Sequence, residues 1–480
     1  MPASKPRKKK SARPSGRASR SGNPAVRRVE EQAARVQEEA VRAERLAGPE
    51  WSLAADLFPD FDQELVQEGM ERAKADAEPV VAELIAADQP VTSFEDELCR
   101  RLGGILAAQD AQTDALRTDA LGKSGQAPDF DAYGPEVLLD AFNEVVSVAA
   151  FKAIMGVDDP VEQNSTWRLL LALARIVPHP DSQIPVGAVK NLRESVPQFP
   201  KASIDCTPTG SALWCRDVYG TRFAITAPFT AAEGTDRWYL WDIDVCSGEP
   251  HTVGAGYFAD AEQAFTAWQS AVGPDATSRS RFEPVSDADL AARILPVASV
   301  PRDGGESEPQ LAEFHRCHRL AQELRASDRL GGGARTQSAW PEQQAVQDAW
   351  IAEFVTWRAE HRPGQSAVPE GFTVDNERIE ESEVYNELAL TWLDEEFPDL
   401  AHTCSPHQIA LTATAIRDLY DADFAHVLLR QLPDLTTWLT ERMALPQDAA
   451  DQVRAFAEHA ARPDFGPDDR AADLMAQIRE

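Results

Sequence analysis

From Asp62 to Gly156 the apolar residues recur at helical spacing: Leu65, Met70, Val80 and Leu84, then Phe94, Leu98 and Leu102, then Val137, Leu138, Phe142, Val145, Val146 and Phe151. Such spacing gives each helix one apolar stripe and a polar face opposite. Pro79, Pro90 and the Gly122–Pro128 stretch interrupt the run. Thr166–Val177 is almost wholly apolar and predicts a central helix, so residues 51–200 read as one helical domain.

Near Ser203 the period drops to two. Leu213–Val218, Arg222–Phe229, Trp238–Cys246 and Val253–Phe258 alternate and are rich in β-formers, with turn residues between them, which predicts an antiparallel four-stranded meander. In the third strand Tyr239, Trp241, Ile243 and Val245 share one face, and Trp238, Leu240, Asp242 and Asp244 share the other. A helix follows, with Asp260 as its cap, Gln263 at the capping-box position and a stripe of Ala261, Ala264, Phe265, Trp268, Ala271 and Val272. The expectation is that this helix covers the Trp241/Ile243 face, leaving the aspartates solvated or paired with Arg216 or Arg222. Residues 201–300 form the α+β module.

Residues 301–337 predict a helix, Gln310–Arg325, and a linker with Gly331–Gly333, ahead of a C-terminal helical domain over 338–480. Its helices fall near Pro341–Glu360, Ser382–Phe397, Pro406–Tyr420, Leu435–Met443, Gln447–His459 and Pro467–Ile478. Residues 1–23 have no apolar period and are expected to be disordered; a helix charged nearly all round follows over 24–50, with Asn23 as cap and Pro24 in its first turn. The fold class is mostly α with a central α+β module, an antiparallel four-stranded meander plus covering helix, flanked by N- and C-terminal helical domains.

WRLLLALARIVPHPDS from Trp167, LWCRDVYGTRFAI from Leu213, the strand-helix stretch Asp236–Trp268, SPHQIALTATAIRDLY from Ser405 and LPDLTTWLTERMALP from Leu432 together resemble an uncharacterised actinobacterial protein family of similar length. The resemblance spans about residues 165–460 and is strongest at the DVYG turn and the strand-helix stretch. It implies the same domain order and no activity.

Composition narrows the classes. A chain of 480 residues with 43% hydrophobic and 26% charged residues builds a sizeable core. The most apolar stretch, Val137–Val157, is broken by Asp140, Asn143, Glu144 and Lys152, so no membrane span or membrane partner is expected. The basic N-terminus lacks an apolar segment of the secretory kind, and the expected location is the cytoplasm. Six scattered cysteines read as reduced thiols. Charge is uneven: residues 1–28 carry ten Lys or Arg and no acid, so the formal −32 of the chain becomes −42 over residues 29–480. Lys5, Arg7, Lys8, Lys9, Lys10, Arg13, Arg17 and Arg20 give the tail the means to contact nucleic acid without regard to sequence, Arg27 and Arg28 extending the run.

Three constellations carry candidate chemistry. Gly122-Lys123-Ser124 resembles the end of a phosphate loop, but Arg117 occupies the position of the required first glycine. His315, Cys317 and His318, with His402, Cys404 and His407, are candidate metal ligands whose spacing matches no standard finger, and neither metal nor cofactor is expected. Asp242 and Asp244 are the candidate catalytic carboxylates, spaced to share a Mg²⁺ if Glu233, Asp236 or Asp217 supplied a third ligand. The leading reading is a protein-interaction or scaffold protein with an unnamed protein partner and a basic tail able to contact nucleic acid. The alternative is a metal-dependent hydrolase or nuclease using Asp242 and Asp244.

Overall fold

The structure, a computed structural model, describes residues 63–124, 135–156, 160–195, 204–246, 250–296, 306–331, 343–374, 377–393 and 397–462. The basic tail, the charged helix over 24–50 and the helix near Pro467–Ile478 lie outside the described residues. The described residues from Leu65 onward form one compact unit.

The fold is mostly α around one central antiparallel sheet. Helices α1 (Gln63–Ala87), α2 (Val91–Ser124), α3 (Pro135–Gly156), α4 (Pro160–Ile176) and α5 (Gln183–Ser195) bury the predicted stripes, with Leu84, Phe94, Leu98, Phe142, Trp167 and Leu171 in one cluster. Phe151, which the spacing assigns to the stripe of α3, is instead 60% exposed.

The meander forms as predicted, with modest shifts at the ends: β1 (Leu213–Arg216), β2 (Arg222–Phe229), β3 (Arg237–Asp244) and β4 (His251–Phe258). A two-residue strand that the alternation did not signal, β5 (Glu283–Pro284), pairs with β1 and gives the order β4-β3-β2-β1-β5. Its proline suits an edge, where no further strand needs its missing N–H.

Both faces of the sheet are buried, and the covering helix lies on the face opposite to the one expected. Helix α6 (Ala261–Val272) begins as predicted, with Asp260 accepting from the Gln263 N–H. Its Ala264, Trp268 and Val272 then pack over Cys215, Ala224 and Leu240, which is the face carrying the aspartates. The Tyr239/Trp241/Ile243 face is covered by α7 (Ala288–Ile294) and by α8 (Glu308–Ala326) through Leu290, Ile294, Cys317, Leu320 and Leu324. The strand parity holds, but the sheet lies between two helical layers and so has no wet face. Helix α8 reads as peripheral in the sequence because its hidden face is charged. Arg316 is buried beside Glu313 and Asp96 and lies over the Tyr257 ring, and Arg319 donates to the Val177 carbonyl at 3.2 Å. On its other side α8 crosses α2 so closely that a Cβ at Gly103 would run into the backbone of Ala312.

The C-terminal helices α9 (Gln343–His361), α10 (Glu381–Trp392), α11 (Pro406–Leu419), α12 (Ala422–Leu429), α13 (Leu432–Arg442) and α14 (Gln447–Ala460) share a core of Trp350, Phe354, Leu388, Ile409, Leu435 and Phe456. The turn between β1 and β2 enters it. Asp217 closes this turn by accepting the N–H groups of Thr221 and Arg222 at 2.9 and 3.2 Å. Tyr219 at its tip is buried among the C-terminal residues, its hydroxyl bonded to Gln452 at 2.9 Å and its carbonyl accepting the Cys404 N–H at 3.3 Å. Gly220 sits at φ +75 against Thr403 and Met443. The Asp217–Gly220 segment is thus the plug that fastens sheet to helices.

Candidate functional site at the foot of β3

Asp242 and Asp244 leave β3 on the α6 side and meet different partners. The Arg222 guanidinium grips Asp242 as a fork, Nε to Oδ1 at 2.7 Å and Nη2 to Oδ2 at 2.8 Å, and the Trp268 indole N–H donates to Oδ1 at 3.0 Å. This carboxylate is 4% exposed, with three charge-matched or polar donors at bonding distance. Of the two expectations, solvated or paired, Asp242 fulfils the second, with Arg222 and not Arg216 as its partner, and neither aspartate is solvated.

Asp244 is the last residue of β3 and stays in regular register with Arg222 on β2, while β4 absorbs one extra residue, Val253, opposite the Asp242–Ile243 step. At this strand end Asp244 meets the C-terminal helices: Oδ1 accepts the Cys246 backbone N–H at 2.7 Å, and Oδ2 lies 3.2 Å from Nδ1 of His407. His407 stands in the first turn of α11, whose cap residue Ser405 accepts the Gln408 N–H and has its hydroxyl 3.3 Å from Cys246 Sγ. Burial raises the Asp244 carboxyl, but the His407 ring and the Cys246 donors more than offset it and hold the group below the ordinary aspartate value. Burial pushes the Cys246 thiol well up, so left to itself it stays protonated.

Of the predicted candidates, then, one aspartate and one histidine come together, joined by Cys246, which no motif or spacing in the sequence marks. One ligand atom from each of Asp244, Cys246 and His407 lies within 4.8 Å of the others, the one such His/Cys/carboxylate group among the described residues. The rest stay apart. His315, Cys317 and His318 are buried in α8 on the far side of the sheet, where the Cys317 carbonyl accepts the Trp241 indole N–H at 3.0 Å and burial drives His315 down to about 3. His402 faces Glu353 and Trp438, and Cys404 is sealed in the C-terminal core. Glu233 and Asp236 precede β3 and so sit at its opposite end, roughly 25 Å from Asp244 by strand rise. Asp217 is spent on its own turn. Gly122-Lys123-Ser124 ends α2 instead of preceding a helix, the reverse of what a phosphate loop needs. The eight tail cations lie outside the described residues.

Beside the trio a cleft of about 330 Å³ opens between the foot of β3, the end of α10, the short 3-10 turn Pro398–Leu400 and α11. Its lining includes Val245, Cys246, Leu393, Phe397, Leu411, Thr412 and Gln408. Trp392 lines it too; it is 5% exposed and its indole N–H has no hydrogen-bond partner among the described residues. Comparison with known protein families, with curated protein sequences and with solved structures finds no match. No helix among the described residues is long and apolar enough to cross a membrane.

Proposed function

We propose that the chain is a protein-interaction protein whose recognition site is the cleft between the foot of β3 and the C-terminal helices. The observation that carries this reading is the cleft itself, about 330 Å³, where Leu393, Phe397 and Leu411 stand beside the polar Gln408 and Thr412; Trp392 lines it as well, with an indole N–H that has no hydrogen-bond partner among the described residues. The cleft volume, at the low end of ligand sites, suits one large apolar side chain, and a peptide brings a carbonyl acceptor with each side chain. Both sheet faces are already covered, which leaves this groove in place of the exposed sheet face as the surface for a protein partner. The basic tail adds salt-sensitive contact with nucleic acid. The hydrolase alternative loses support because Asp242 has both carboxylate oxygens engaged by Arg222, so the two aspartates do not form an open pair.

The test is affinity capture with the full chain and with Ala415→Trp, which fills the cleft from α11. Partners held by the wild type and lost by the filled variant, at unchanged melting temperature, are the expected result. Partners retained in full by the filled variant would sink the cleft assignment.

A further inference from the structure

We propose that Asp244, Cys246 and His407 form a binding site for a soft divalent cation of the Zn²⁺ class. The three groups come from two elements far apart in the chain, and each is placed by backbone that the fold fixes: Asp244 holds the Cys246 N–H, and Ser405 caps the helix that carries His407. Their ligand atoms already lie within 4.8 Å of one another. Bond lengths of about 2.0–2.3 Å put tetrahedral zinc ligands roughly 3.3–3.8 Å apart, so small side-chain rotations close the gap.

The donor set selects the ion. A thiol, an imidazole and a carboxylate suit Zn²⁺ or Co²⁺, whereas Mg²⁺ and Ca²⁺ require oxygen throughout. Electrostatics point the same way. Asp244 is 9% exposed, and its one ion-pair partner among the described residues is the half-exposed His407 ring. A cation at the centre of the trio neutralises that carboxylate fully and draws the proton off Cys246, releasing it to water. Three protein ligands leave a fourth position, and Cys246 also lines the cleft, which is the arrangement of a site that keeps room for water or a ligand. This inference is independent of what occupies the cleft.

The full chain, stripped with chelator, is titrated with Co²⁺ and then with Zn²⁺. One Co²⁺ per chain is expected, with thiolate-to-cobalt charge-transfer absorption that Zn²⁺ abolishes and Mg²⁺ does not. Cys246→Ser removes the absorption, and His407→Gln, at a half-exposed position that folding tolerates, weakens binding at least about tenfold. Absence of Co²⁺ uptake by the wild type, or a charge-transfer band that survives Cys246→Ser, overturns the site. Should Cys246→Ser not fold, unchanged Co²⁺ affinity in His407→Gln overturns it equally.

Discussion

Asp242 accepts three hydrogen bonds within 3.0 Å, and removing its carboxylate strands Arg222 beneath α6. Breaking a buried pair by deleting one partner costs about 3–5 kcal/mol, and because Arg222 keeps some exposure Asp242→Ala should fall near the lower end, about 3 kcal/mol, in urea denaturation. Trp268→Phe, which removes one donor to a charged acceptor, should cost about 1.5–3 kcal/mol. A loss under about 0.5 kcal/mol for Asp242→Ala, the size of an ordinary surface change, would mean that the fork carries no weight. Asp217 behaves differently. Its burial outweighs the two N–H groups it accepts and pushes its carboxyl up to about 7, whereas an unfolded aspartate releases its proton near about 4. The folded chain holds the extra proton between those values, so the stability this group contributes is full below about pH 4 and is lost as pH rises through about 7. D217N keeps the accepting oxygen but cannot ionise, and it should lose less stability than the wild type between pH 5 and 8; equal losses in the two proteins would refute the shift. Only part of this was legible from the residues alone: alternation places Asp242 and Asp244 on one face and offers Arg222 as a partner beside Arg216, but a face is wet or dry according to what lies on it.

The strands were legible because period two is written into each of them, as in Arg237–Asp244, where every second side chain is aromatic or aliphatic. Helix α6 was legible through its cap and stripe. What escaped was the pairing of helix to face, since α6 and α8 both offer a stripe and parity does not choose between them. Helix α8 misled further, because the residues it buries include His315, Arg316, His318 and Arg319. Buried charge of this kind becomes visible only with its partners, Asp96 on α2 and Glu313 one turn away. The candidate site was legible in halves: Asp244 and His407 are each singled out by residue type, yet their meeting, and the thiol of Cys246 beside them, depends on the C-terminal helices docking at the end of β3, a contact 163 residues apart in the chain with no local signature. At the scale of a single turn, Gly220 combines a left-handed φ with Thr403 at 3.1 Å from where a Cβ would stand. Gly220→Ala should cost about 1–3 kcal/mol, and Tyr219→Phe about 1 kcal/mol through the lost bond to Gln452. Both are read from denaturant midpoints. No effect of Gly220→Ala would show that the turn adapts freely.

Over the whole molecule the charge split sets the expectation for nucleic acid. Residues 29–480 carry −42 and repel a phosphate backbone, so any affinity resides in the ten cations of residues 1–28. Deleting residues 1–23 should abolish binding of duplex DNA measured at about 50 mM salt, and raising salt to about 200 mM should nearly do so for the intact chain. Binding that survives the deletion would place the contact elsewhere.

The insertion of Tyr219 among the C-terminal helices also governs how the chain divides. A fragment of residues 343–462 lacks the ring that fills its centre, and a fragment of residues 63–331 presents that ring to solvent. Each piece carries surface that the other covers, with the foot of β3 and the start of α11 meeting across the same break. The two halves produced together should therefore find one another and reconstitute, and the Tyr219 socket makes the protein a natural split pair, its reassembly dependent on a single aromatic key.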